Sequence, residues 1–206
     1  MSDDRQKKCR ERLVDVTLDL CTDQGYDAAT VDQIAAAADV TRSEFERYFA
    51  TKDAVIVSIV DDLLHATATA LRDVTADIAP EHALLIATIE VLGAIIDGRG
   101  VITLHRMLAT GRIVTGTSHL QKQASAARRR VLSQALADRM GVGSQDRRVQ
   151  RAATMWSAIA AGAYIGQLHM PPHYDPRNDD LLPQRMIASL SDTFAEVMGE
   201  APWQQE

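Results

Sequence analysis

Aromatic residues make up only 4% of this 206-residue chain, and no run alternates aromatic or β-branched residues with polar ones. That shortage excludes a core built from sheets, because strands need such residues on their half-buried faces. Cysteine occurs twice. Cys9 and Cys21 fall on one expected helix, twelve residues and therefore about 18 Å apart, too far to bridge. Nothing therefore calls for an oxidising compartment. The first dozen residues are polar and charged (Asp3, Asp4, Arg5, Lys7, Lys8, Arg10, Glu11, Arg12) and lack the apolar stretch of a secretory signal, so a cytoplasmic protein is expected. The longest uncharged apolar stretch, 152–168, contains Thr154, Ser157 and Gln167 and is shorter than the roughly 20 residues a membrane span needs. It reads as a buried helix, and no membrane partner is expected. Basic charge is scarce as well. The net charge is −6, and through residue 50 seven Lys and Arg face eleven Asp and Glu. A nonspecific coat for nucleic acid is excluded, because phosphate attraction needs a basic surface; specific recognition is not.

What the chain does have is helical periodicity punctuated by Gly and Pro, together with 46% hydrophobic residues, ample for a core. The fold class is all-α, with about nine helices. Leu13, Val14, Val16, Leu20 and Cys21 share one face of a first helix that Gly25 terminates. Thr30 can cap a short second helix carrying Val31, Ile34 and Ala35, and Asp39 stands at a sharp turn. A short third helix from Thr41 carries Phe45, Tyr48 and Phe49. Thr51 then caps a long helix patterned by Val55, Ile56, Ile59, Val60, Leu63 and Leu64, which Pro80 is expected to end. Five more helices are expected at about 81–97, 101–110, 117–140, 145–170 and 183–198, with a loop from Pro171 to Pro183. The expected division is a small domain over 1–50 and a larger helical domain over 51–206.

Two short helices joined by a tight turn, with a longer helix on each side, match the helix-turn-helix, whose second helix enters the DNA major groove. The string Thr17 to Lys52 resembles the TetR family. The matching pieces are Gly25-Tyr26, Thr30-Val31, Ile34-Ala35, Val40-Thr41, Tyr48-Phe49 and Lys52, and the resemblance covers about residues 8–60. It implies that Thr41, Arg42, Ser43 and Arg47 meet DNA, that Tyr48 and Lys52 contact phosphates, and that Thr30 adds its hydroxyl or helix-terminal amides. Three positions depart from the family. Asp39 replaces the usual turn glycine, which is tolerable because Asp enters the left-handed region more readily than most residues. Glu44 and Glu46 replace a small or hydroxyl residue and an aromatic one; each can accept from a cytosine amine or simply face solvent.

In the larger domain, 84–96 is apolar almost all round and should be central. The resemblance places a ligand cavity there, with Leu92, Leu104, Met107, Leu108, Met155, Trp156 and Ile159 as lining candidates, although each also suits plain packing. The few polar groups nearby favour a small hydrophobic ligand. Ala158, Gly162 and Gly166 recur every four residues, and Met186, Ile187, Leu190, Phe194 and Val197 give the last helix an apolar stripe. The family joins its last two helices into a dimer interface; packing within one chain serves both stripes equally well. His65, His82, His105, His119, His169 and His173 are scattered without metal-site spacing, and no phosphate loop, nucleophile elbow or Cys-His motif occurs. No cofactor, metal or enzymatic activity is expected.

These observations together imply a homodimeric regulator that binds a palindromic operator and is released from it by a hydrophobic ligand. The rival is a helical ligand-binding or catalytic protein that keeps the fold without DNA affinity.

Overall fold

A computed structural model describes the backbone of residues 2–168 and 182–199 and the side chains of 4–163 and 184–199. Among the described residues there are nine α-helices and no strand. They are α1 (Ser2–Gln24), α2 (Val31–Ala37), α3 (Arg42–Tyr48), α4 (Lys52–Asp73), α5 (Pro80–Ile96), α6 (Leu104–Gly116), α7 (Ser118–Met140), α8 (Arg147–Leu168) and α9 (Leu182–Met198). The loop expected from Pro171 lies outside the described residues, as do His169 and His173.

Two expected boundaries move. Pro80 opens α5 instead of ending α4, since a first-turn proline gives up an N–H that has no helical partner anyway. α6 starts at a Thr103 cap, whose hydroxyl accepts from Arg106 N at 3.2 Å, and runs through Gly111 to Gly116. Tertiary packing there outweighs the weak helix propensity of a single glycine.

The chain forms two compact units. The first comprises residues 1–62 and 102–124: α1 to α3, the first half of α4, α6 and the opening turns of α7. Its core is Leu13, Val14, Leu18, Cys21, Ile34, Phe45, Val55, Ile56 and Ile59, all nearly or fully buried. On α1 the buried set is Leu13, Val14, Thr17, Leu18 and Cys21, whereas Val16 and Leu20 are only half-buried. Thr17 is accommodated because its hydroxyl donates to Leu13 O at 2.7 Å, one turn back.

The second unit comprises residues 63–101 and 125–199 of the described chain: the second half of α4, α5, the rest of α7, α8 and α9. Here Leu84, Leu85, Ala87, Ile95, Leu132, Leu136, Val149, Trp156, Ile159, Leu190 and Phe194 are buried. The ring of Phe194 lies 6.4 Å from that of Trp156 and meets His82 edge-on at 5.0 Å. α4 is apolar and long enough to cross a membrane by composition, yet Val55, Ile56, Ile59, Leu64, Ala68 and Leu71 along it are buried in the protein. That pattern belongs to a core helix.

Candidate nucleic-acid interface

The short helices α2 and α3 are too brief to persist alone, so their ends must be fixed locally. Both begin with a capping box. The Thr30 hydroxyl accepts from Gln33 N at 3.2 Å, while the Gln33 side chain accepts from Thr30 N at 2.9 Å. Thr41 and Glu44 repeat the arrangement, at 3.1 Å and 2.9 Å. Between them Ala38 N donates to Ile34 O at 2.9 Å and Val40 N to Ala35 O at 3.0 Å. Asp39 takes a φ of 57°, the left-handed conformation that its place at the sharp turn leads one to expect.

Phe45 and Phe49 anchor α3 from within, and this orientation leaves Thr41, Arg42, Ser43, Glu46 and Arg47 exposed. Tyr48 is half-buried, with the Arg47 guanidinium 5.3 Å from its ring. The Arg10 guanidinium covers the ring of Phe49 at 5.1 Å. Thr30, at the start of α2, is also exposed.

Charge on this face is already engaged. Arg42 Nε donates to Glu46 at 2.9 Å, and its Nη1 donates to both oxygens of Asp32 at 3.1 and 3.2 Å. The Glu44 carboxylate is held by the backbone N–H and then the hydroxyl of Thr41, which together hold its carboxyl below the usual carboxylate range. Glu44 thus serves as a helix cap, a role carried by the Thr41-x-x-Glu44 spacing but missed when Glu44 is weighed only as base reader or solvated charge. The tie between Arg42 and Asp32 has no comparable signal, since it depends on how α2 and α3 pack.

Lys52 faces inward. Its Nζ donates to Ala29 O at 2.7 Å and to Tyr26 O, and sits 3.9 Å from the centre of the Tyr26 ring. The Tyr26 hydroxyl donates to Asp53 Oδ1, whose other oxygen receives Gln123 Nε2 at 3.2 Å and lies 3.1 Å from His119 Nε2. Burial and then the hydrogen bond to Asp53 push the Tyr26 phenol well above its ordinary value. Burial acts to raise the Asp53 carboxyl, but hydrogen bonds from Tyr26 and Gln123 and the charge of His119 outweigh it and hold the group low. On α6, Arg106 grips Asp15 of α1 at 2.6 and 2.9 Å, and His105 lies 3.3 Å from Asp19. None of Asp15, Asp19, Asp53 and His119 is singled out by local spacing.

The remaining candidates divide between the units. Leu104, Met107 and Leu108 belong to the first, with Met107 fully buried; Leu92, Met155, Trp156 and Ile159 belong to the second, with Trp156 and Ile159 buried. Of the residues expected at a subunit interface, Met186, Leu190 and Phe194 are buried within the single chain, Ile187 and Gly162 are half-buried, and Ala158 is exposed. Gly162 admits α9: a Cβ placed there would lie 3.1 Å from Thr193 Cγ2. Among the described residues no group of His, Cys, Asp and Glu could hold a metal ion. The side-chain surroundings of Gly166 lie outside the described residues.

Residues 13–59 match the profile of bacterial regulatory proteins of the tetR family. The HTH-type transcriptional regulator TcmR of Streptomyces glaucescens is 35% identical over 92 residues, which cover 45% of this chain and 41% of that regulator, less than half of its length. Two solved structures share the fold along most of both chains. SmeT, the repressor of the Stenotrophomonas maltophilia multidrug efflux pump SmeDEF, has a TM-score of 0.58 at 21% identity, covering 95% of this chain and 94% of its own. FadR of Thermus thermophilus, a TetR family transcriptional repressor in complex with lauroyl-CoA, has a TM-score of 0.55 at 18% identity, covering 96% and 100%. The matched segment coincides with the capped helices α2 and α3 and parts of the flanking α1 and α4, so that over residues 13–59 the chain is similar to bacterial regulatory proteins of the tetR family.

Proposed function

We propose that this chain is a homodimeric transcriptional regulator in which residues 1–50 bind a palindromic DNA operator and the larger helical region, 51–206, binds a small hydrophobic ligand that releases it. The observation that carries this reading is the face of α3. Phe45 and Phe49 bury one side, and the opposite side presents Thr41, Arg42, Ser43 and Arg47 from a helix whose N-terminus is already capped. A short helix fixed at its start and exposed along one side is what a major groove admits. Of the contacts inferred from the family, those of Thr30, Thr41, Arg42, Ser43, Arg47 and Tyr48 are kept. Glu44 is assigned to capping, and Lys52 to holding the Tyr26 turn instead of a phosphate.

For the ligand, Leu92, Met155, Trp156 and Ile159 of the second unit are the apolar candidates, with Trp156 and Ile159 buried there. The fold neighbour from T. thermophilus is solved with lauroyl-CoA, so that compound is the first probe. Fluorescence anisotropy with duplexes tiling the DNA upstream of the protein's own gene should show salt-sensitive, saturable binding to one duplex, lost on adding an effective ligand. Equal affinity for every duplex, or none for any, would sink the regulator reading.

A second reading, a ligand-binding protein of the same fold without DNA affinity, draws on the engaged charges: Arg42 is paired with two carboxylates and Lys52 faces backbone carbonyls. It predicts Trp156 fluorescence changes with ligand, measured in a Trp203→Phe background, together with no binding to any duplex.

A further inference from the structure

Arg42 is the first residue of α3, Glu46 follows one turn later, and Asp32 belongs to the first turn of α2. All three side chains are half or more exposed. Ion pairs in such a setting add little to stability, because water screens them and ordering long side chains costs entropy. Their effect here is geometric. The guanidinium is a rigid plane with five N–H donors. Glu46 takes the Nε hydrogen and Asp32 takes Nη1 with both of its oxygens, so the plane is held from two directions. Both hydrogens of Nη2, at the far end of the fork, stay outside those two contacts, and Nη1 has a second hydrogen.

What such a fork can read follows from base chemistry. Guanine presents two acceptors in the major groove, O6 and N7, which two of the remaining hydrogens fit. Adenine and cytosine each present an amine donor there, facing a group that cannot accept; thymine offers one oxygen beside a methyl group. A phosphate would also accept the fork, but it would bring negative charge beside two carboxylates already about 3 Å from the same guanidinium. The neutral edge of guanine carries no such penalty.

Resting on the regulator reading above, we infer that Asp32 and Glu46 are positioning residues that hold Arg42 as a fixed reader of one guanine in each operator half-site. The acidic residues that make this head look unsuited to DNA then serve selectivity: they steer an arginine away from the backbone and toward a base. Because the trio carries a net negative charge, Arg42 adds little to counterion release, and its contribution is nearly independent of salt.

The test uses the full-length protein. Bound duplexes are selected from a random-sequence pool and sequenced for wild type, R42A, R42K, D32N, E46Q and D32N/E46Q, with melting by circular dichroism as the check on folding. The wild-type motif should contain one G·C pair per half-site preferred roughly tenfold or more over other pairs. R42A and R42K should both lose that preference, since lysine keeps the charge but not the fork. E46Q and D32N should weaken it severalfold while tightening binding to random DNA, and the double variant should do both more strongly. A preference that survives R42A overturns the inference, and it points to Glu46 accepting from the cytosine of the same pair. Uniform tightening in E46Q with the preference intact also overturns it, leaving Glu46 as a repulsive charge only. If the wild type enriches no motif at all, the regulator reading fails first; a clear wild-type motif indifferent to Arg42 defeats this inference alone.

Discussion

Gly100 stands where no side chain fits. A Cβ there would lie 2.4 Å from Ile95 Cγ1 and 2.7 Å from Ile95 Cα, and Ile95 is a buried core residue that cannot yield. Gly100→Ala must therefore shift the turn between α5 and α6, and we expect a loss of about 1–3 kcal/mol, as for other overpacked sites. Urea unfolding of the variant reads this as a lower midpoint. An unchanged midpoint would mean that the turn adapts freely. Asp39 presents the opposite case. Its φ of 57° is mildly unfavourable for any residue with a Cβ, so Asp39→Gly should leave stability within about 1 kcal/mol, whereas Asp39→Val should lower it clearly. This position was legible in the sequence because a backbone demand shows directly in residue choice. Glu44 was legible too, in its spacing from Thr41, but only to a reading that asks about helix ends before DNA. The pairing of Arg42 with Asp32 was not legible, since residues ten apart meet only through the turn between two helices.

At the scale of elements, helix ends are tied by single side chains that reach far along the sequence. Arg139 of α7 donates to Leu71 O at 3.4 Å, Val74 O at 2.6 Å, Ile78 O at 3.2 Å and Thr75 O, gathering carbonyls at the end of α4 and in the turn beyond it. A cation at a helix C-terminus also meets the negative end of the helix dipole. Arg139→Ala should cost about 1.5–3 kcal/mol, the range for hydrogen bonds to a charged group, and Arg139→Lys should recover less than half, because an ammonium cannot span the same carbonyls. Equal stability of Lys and Arg at this position would show that charge alone matters. Asp53 gives the fold a pH dependence of definite sign. Its carboxyl is held below the ordinary value of 3.8 by Tyr26, Gln123 and His119, with burial opposing them. A depressed carboxyl stabilises fully above its unfolded value, and that contribution disappears as pH falls through the folded one. The stability gap between wild type and Asp53→Asn should therefore shrink as pH falls below about 4. A gap that widens as pH falls from about 4 to about 2 would reverse the assignment. Helix identity was legible from periodicity almost throughout; these ties were not, since nothing local in Asp53 or Arg139 names a partner 65 or more residues away.

At the scale of the whole molecule, the sequence pattern shows which faces are apolar but not which partner covers them. The stripe Met186, Leu190 and Phe194 suited a second subunit and its own chain equally, and the structure spends it on the chain: Phe194 packs on Trp156 and His82. What stays open on α8 is a different stripe, Arg147, Arg151, Thr154, Ala158 and Ala161, each exposed and spaced three or four apart. Its later residues are small and uncharged, so another helix can approach closely there. If the proposed dimer uses α8, Ala158 should lie within it, and Ala158→Glu should introduce a carboxylate that cannot be desolvated without a partner. Gly162→Leu is a different experiment, because a side chain there meets Thr193 of the same chain and should disturb α8 against α9 whether or not a dimer exists. Sedimentation from about 1 to 50 µM separates the two effects, because dimer dissociation depends on protein concentration and intrachain disruption does not. We expect a wild-type dimer, an Ala158→Glu protein that dissociates as it is diluted while keeping its helical circular dichroism, and a Gly162→Leu protein that melts lower at every concentration. A dimer as tight in Ala158→Glu as in the wild type would move the interface off this face of α8, and the spacing between paired recognition helices would then have to be set by other surfaces.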